Sequence, residues 1–245
     1  MKNVYDITNE FERRLGEYTG APYVVTVDNQ SNALFLSLYY ENHIKKSIKT
    51  DTITIPSRTY PSVPCEIIHA GLKVAFKPVE GKTIKGAYNL EGSNVWDSAL
   101  SFTSEMYKPN THMCISFTGS RKIFKLLSKG GAILTDDYDA YKWFKKARFS
   151  GRDEVDYHKD NFDKDSVIGW NFYLNPELSL RGLVLMTNFY NLDGSPKIFD
   201  DIELPYPDLS KFSIYSSHTP TYTKDQILNK CEDNLIRQWI ECNLE

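Results

Sequence analysis

Trp96-Asp97-Ser98-Ala99, Ser116-Phe117, Arg121-Lys122 and Gly130-Gly131-Ala132-Ile133 follow one another through the middle of the chain. Three short apolar runs carry them: Asn94–Asp97, Met113–Phe117 and Ala132–Thr135. Runs of that length, bounded by polar turn residues, predict strands. Tyr23–Val27, Thr52–Ile55 and Val74–Phe76 predict three more. Between them, Phe11, Leu15 and Tyr18 recur with helical spacing, Ala33–Tyr40 reads as a helix apolar on several sides, and Ser62–His69 reads as a helix closed by Gly71. Strands alternating with helices predict an α/β fold with a mostly parallel sheet flanked by helices. In such sheets the ligand crevice lies beyond the carboxyl ends of the strands. Asp97, Ser116 and Tyr60 fall at or just after predicted strand ends.

The order weakens past Gly151. Arg152–Asp165 is charged and loop-like, and Pro176 opens an apolar segment to Met186 that suits a helix. Residues 192–223 read as a long irregular excursion. Ile227, Cys231, Leu235 and Trp239, four residues apart, predict a C-terminal helix. The expected organisation is a core over residues 1–150 and a second part over 151–245.

Composition narrows the function classes. The net charge is −3 with no long run of one sign, so no nucleic-acid footprint is present. Lys45-Lys46 and Lys145-Lys146 read as solvated helix faces. Cys65, Cys114, Cys231 and Cys242 lack paired spacing and read as free thiols of a reducing compartment. The five histidines form no metal-ligand pattern. No apolar run suits a leader or a membrane span, so the expectation is a cytoplasmic protein without a membrane partner.

An acid, a hydroxyl and an amine placed in this order suit pyridoxal 5'-phosphate (PLP). That cofactor needs a carboxylate at its ring nitrogen, hydroxyls and N–H groups at its phosphate, and an amine to hold its aldehyde. Asp97, Ser116 and Lys122 are the candidates. The order D-x-A, S-F-x-x-x-K and G-G-A-hydrophobic resembles the DegT/DnrJ/StrS family of PLP-dependent sugar aminotransferases. Further fragments keep the family's order over roughly residues 9–190. Leu15-Gly16-Glu17-Tyr18-Thr19-Gly20 is similar to its opening helix, and Asn29-Gln30-Ser31-Asn32-Ala33-Leu34 to S-G-T-x-A-L. Thr59-Tyr60 through Ala70-Gly71 is similar to T-F-x-A-T…A-G, and Gly169-Trp170-Asn171-Phe172 to G-x-N-x. The resemblance implies a fold-type-I PLP-transferase, here a short member with a reduced C-terminal subdomain.

The resemblance also implies site roles, each with a plainer alternative. Asp97 would meet the ring nitrogen, or serve as a helix cap. Tyr60 would lie over the ring, or pack at a rim. Ser31, Asn32 and Ser116 would bind the phosphate, or simply cap and end elements. Asn171 would reach the phosphate of a neighbouring subunit in a homodimer, or hold a turn. Counted without gaps, the lysine position falls on Arg121, which stays protonated and cannot be the amine. A small insertion brings Lys122 into register, and Lys125 lies further on. Gln30, Leu100 and Tyr173 depart from the family pattern. The implied activity is amino transfer, with glutamate as donor, to a keto-sugar, nucleotide-linked. The alternatives are a non-catalytic binding or assembly protein, or a lysine-free enzyme using pyridoxamine phosphate.

Overall fold

The computed structural model describes residues 3–118, 129–154 and 164–215. Helix α1 (Asp6–Thr19) buries Phe11, Leu15 and Tyr18 on one face. It stops at Gly20, whose left-handed backbone (φ 77°) lets its N–H reach the Gly16 carbonyl at 2.9 Å. Strand β1 (Tyr23–Val27) leads into α2 (Gln30–Tyr39), whose first turn is capped by the Asn29 side chain accepting the Asn32 N–H. Seven of the ten α2 residues are buried, as its all-round apolar sequence requires of a central helix. A single π-helical turn, Tyr40–Ile44, extends it.

Strand β2 (Thr52–Pro56), helix α3 (Ser62–His69) and strand β3 (Lys73–Lys77) form a parallel crossover unit. Strands β4 (Thr83–Asn89), β5 (Val95–Leu100), β6 (His112–Ser116) and β7 (Gly131–Thr135) follow, then α4 (Tyr138–Ala147), α5 (Pro176–Met186) and β8 (Glu203–Pro205). The main sheet has the order β1-β7-β6-β5-β4-β8, while β2 and β3 stand apart as a two-stranded sheet.

The α/β architecture is the one the sequence predicts, with a central sheet flanked by helices. The sheet, expected to be mostly parallel, is mixed: β5–β6 is its one parallel pairing among the described residues. The connection from β4 to β5 is five residues, too short for a crossover, so these strands form an antiparallel hairpin. Strand β4 itself carries no clear alternation and is not among the strands the sequence predicts. Residues 192–223, expected to be irregular, include β8 and two 3-10 turns, Leu209–Lys211 and Ser213–Tyr215. The C-terminal helix expected around Ile227–Trp239 lies outside the described residues.

Both faces of the sheet are covered. Val24, Met113, Ile115, Ala132 and Leu134 meet Phe11 and Leu15 of α1 and Met186 of α5 on one side. Val25, Val27, Cys114 and Ile133 meet α2 and α4 on the other. This is why these strands read as continuous apolar runs. Lys145 departs from its expected solvated role. Its side chain is 17% exposed and pairs with Glu12 at 3.0 Å and Glu154 at 2.9 Å, beside the fully buried Arg148.

Candidate active site

The start of α2 lies directly on β7. A Cβ on Gly131 would stand 2.7 Å from the Gln30 nitrogen, so only glycine permits that approach. Gly131 pairs with Ser116 at the end of β6, and Cys114 pairs with Asp97 on β5. Asp97, Ser116 and the first turn of α2 are thereby brought together. Asp97 lies in the middle of β5 rather than at its end, because pairing with β4 carries the strand on to Leu100.

Asp97 is 3% exposed, and protein groups donate to both carboxylate oxygens. The Gln30 amide (2.8 Å) and the Ala99 backbone N–H (2.8 Å) donate to Oδ1, and the Tyr88 hydroxyl (2.8 Å) donates to Oδ2. Tyr88 faces Asp97 across the β4–β5 ladder. Its proton being given to Asp97, its oxygen accepts from the Thr59 hydroxyl. Burial first, then the Asp97 charge, pushes the Tyr88 phenol well above its ordinary range. Burial and the same charge also raise Cys114.

Ser31 and Ser62, in the first turns of α2 and α3, share a hydrogen bond at 2.7 Å. Two helix N-termini therefore meet, with their orphan N–H groups and hydroxyls, near the buried acid. Asn32 is turned elsewhere, donating to Asp28 at 2.6 Å, while Lys129 pairs with the other Asp28 oxygen at 3.1 Å. Ser116 Oγ lies 3.2 Å from the Thr118 hydroxyl. Tyr60, 55% exposed, follows β2 and meets the Tyr206 ring edge-on at 6.3 Å between centroids. Asn171 is exposed and forms an antiparallel bridge with Phe149. The next residue, Phe172, accepts the Asp28 N–H at 2.8 Å, which ties this segment to the entry of α2. Lys122, with Arg121 and Lys125, lies outside the described residues.

Thr59, Tyr88 and Tyr206 also line this arrangement without any motif to mark their roles, and in the sequence Gln30 reads only as a departure from a glycine. Tyr88 gave no signal, since its role depends on strand register. Tyr206 comes from residues after β8, where the Arg58 guanidinium donates to the Tyr206 carbonyl at 2.8 Å. Its phenol is pushed up to about 12 by burial, then by the Asp97 charge and Tyr60.

The donor set fits PLP. An ionised carboxylate only accepts hydrogen bonds, and three donors hold both Asp97 oxygens in that role, the form a protonated ring nitrogen requires. Among the described residues no group of three or more His, Cys, Asp or Glu could hold a metal ion. None of the described helices is long and apolar enough to cross a membrane.

Residues 1–88 match the DegT/DnrJ/EryC1/StrS aminotransferase family. No curated protein matches the sequence. Among solved structures, a Bacillus cereus protein described as a PLP-dependent aminotransferase is similar, with a TM-score of 0.59, 18% identity, and 76% of this chain aligned to 59% of that one. A DegT DnrJ EryC1 StrS aminotransferase from Brucella abortus gives 0.54 and 19%, covering 74% and 58%. A GDP-4-keto-6-deoxymannose-3-dehydratase gives 0.57 and 16%, covering 75% and 61%. The chain spans less than two thirds of the length of each of these structures. Residues 1–88 are thus similar to the DegT/DnrJ/EryC1/StrS aminotransferase family, and the chain shares its fold with solved aminotransferases of that kind.

Proposed function

We propose that the chain binds PLP at the Asp97 site and transfers an amino group from glutamate to a keto-sugar, nucleotide-linked, as a cytoplasmic homodimer. The observation that carries this reading is the buried Asp97 carboxylate beside the paired N-termini of α2 and α3. PLP, when bound, withdraws electrons from the carbon that loses or gains a proton. Asp97 holds the ring nitrogen protonated, and Tyr60 covers the ring. Ser31, Asn32 and Ser116 hydrogen-bond the phosphate, with Asn171 contributed across the dimer. Lys122 would supply the amine that holds the aldehyde and, once released, the base that carries the proton. The core over residues 1–150 carries the cofactor, and the part over 151–245 shapes the substrate side.

Two observations favour a second reading, a non-catalytic binding protein on the same fold. Gln30, at the family's glycine position, is already hydrogen-bonded to Asp97, and Arg121 stands at the ungapped lysine position. The two separate on one experiment. PLP is added to the purified protein, the visible spectrum is recorded, and the complex is reduced with borohydride and mapped. An absorption band near the visible edge with label on Lys122, bleached by glutamate, is the expected result. Binding without label points to the lysine-free enzyme using pyridoxamine phosphate. No band at saturating PLP overturns the enzyme reading in favour of the binding protein.

A further inference from the structure

The Asp97 carboxylate is fixed by two side chains that are themselves fixed. Gln30 is 7% exposed, and its backbone is pressed onto Gly131. Its amide nitrogen donates to Asp97 Oδ1 at 2.8 Å and stands 3.5 Å from the Cys114 carbonyl. Tyr88 is set opposite Asp97 by the β4–β5 register, and the hydrogen bond from Thr59 orients its hydroxyl toward Oδ2. Each side chain therefore holds one oxygen, and together they leave the carboxylate no freedom to rotate about its Cβ–Cγ bond. Both are neutral donors, so they orient the acid without cancelling its charge. A lysine or arginine in either place would pair with that charge.

We infer that Gln30 and Tyr88 are positioning residues, which aim an ionised Asp97 at the nitrogen of a bound pyridine ring. The inference rests on the cofactor reading above. It makes Gln30 a working part of the site rather than a lost glycine, and extends the site to a residue of β4. Thr59–Tyr88–Asp97 is then a hydrogen-bonded chain running inward from the loop that carries Tyr60.

Pyridoxamine 5'-phosphate tests this independently of Lys122, because it carries its own amine and needs no lysine to hold it. Its affinity for the full chain is measured by calorimetry beside that of its 1-deaza analogue, whose ring has carbon in place of nitrogen. The wild type is expected to prefer the pyridine. Tyr88→Phe and Gln30→Met are each expected to reduce that preference by about tenfold, the weight of a hydrogen bond to a charged group, while affinity for the deaza analogue stays unchanged. A purely structural role would weaken both ligands alike and leave the preference intact. A preference unchanged in both variants overturns the inference and leaves the cofactor reading standing. If the wild type binds neither ligand, both fall, and the Asp97 network is structural. The variants address different oxygens, so either one decides the question if the other fails to fold.

Discussion

Gly131 and Asp97 show how much single residues decide here. Because a Cβ on Gly131 would press on the Gln30 nitrogen and Cα, at 2.7 and 2.8 Å, Gly131→Ala must push α2 off the sheet. Overpacking of this kind costs about 1–3 kcal/mol, and urea denaturation should place the variant in that range. A midpoint equal to wild type would mean that α2 does not seat on β7 as described. Asp97→Asn tests the charge at the site. The Asp97 charge is the second cause, after burial, of the raised Tyr88 phenol. The Tyr88 ¹³Cζ resonance should therefore titrate at lower pH in the variant than in wild type. An unmoved titration would mean that Asp97 carries no charge beside it.

Among the elements, α1, β1 and α4 are joined by a buried ion network. Arg148, just past α4, is fully buried and pairs with Glu12 of α1 and Glu154, and it donates to the Thr26 carbonyl of β1. Lys145 also holds both carboxylates. Glu12 stays below its ordinary range although burial, the largest influence, pushes it up; Arg148 and then Lys145 outweigh that. Arg148→Met strips the principal partner from two buried acids, and such a loss costs about 3–5 kcal/mol. Thermal unfolding of the variant should show it, and an unchanged midpoint would assign the stability of this junction to apolar packing alone. On the opposite side, residues 203–212 bridge the two sheets. β8 pairs with β4, while the Leu209 N–H donates to Ser57, next to β2, at 2.7 Å. Leu209 is 2% exposed, so Leu209→Ala should cost about 2–5 kcal/mol. Amide exchange in residues 203–212 should rise first if the segment opens locally.

For the molecule as a whole, Glu41 links acid stability to the core. Burial pushes its carboxyl up, but hydrogen bonds from His112 and Ser47 and the nearby Lys45 outweigh that and hold it below its ordinary 4.5. A carboxyl lowered by folding contributes stability that is full above its unfolded value and is lost as pH falls through its folded value. Stability should thus be steady above about pH 5 and decline below about 4.5, and Glu41→Gln should flatten part of that decline in urea titrations. A decline of the same steepness in the variant would remove Glu41 from it. Much of the fold was legible beforehand, because apolar runs and helical spacing are local signals: Tyr23–Val27, Ala132–Thr135 and the Phe11-Leu15-Tyr18 face read directly. Asp97, Ser116 and the α2 start were legible as a candidate site through motif order. The α/β class, most of the strands and helices and the apolar character of the central strands were legible from residues near one another in the chain. The mixed strand directions, the half-buried pairing of Lys145 and the clamp of Gln30 and Tyr88 on Asp97 came only with the tertiary structure. Those depend on register and on contacts between segments 9 to 136 residues apart, which no local pattern encodes.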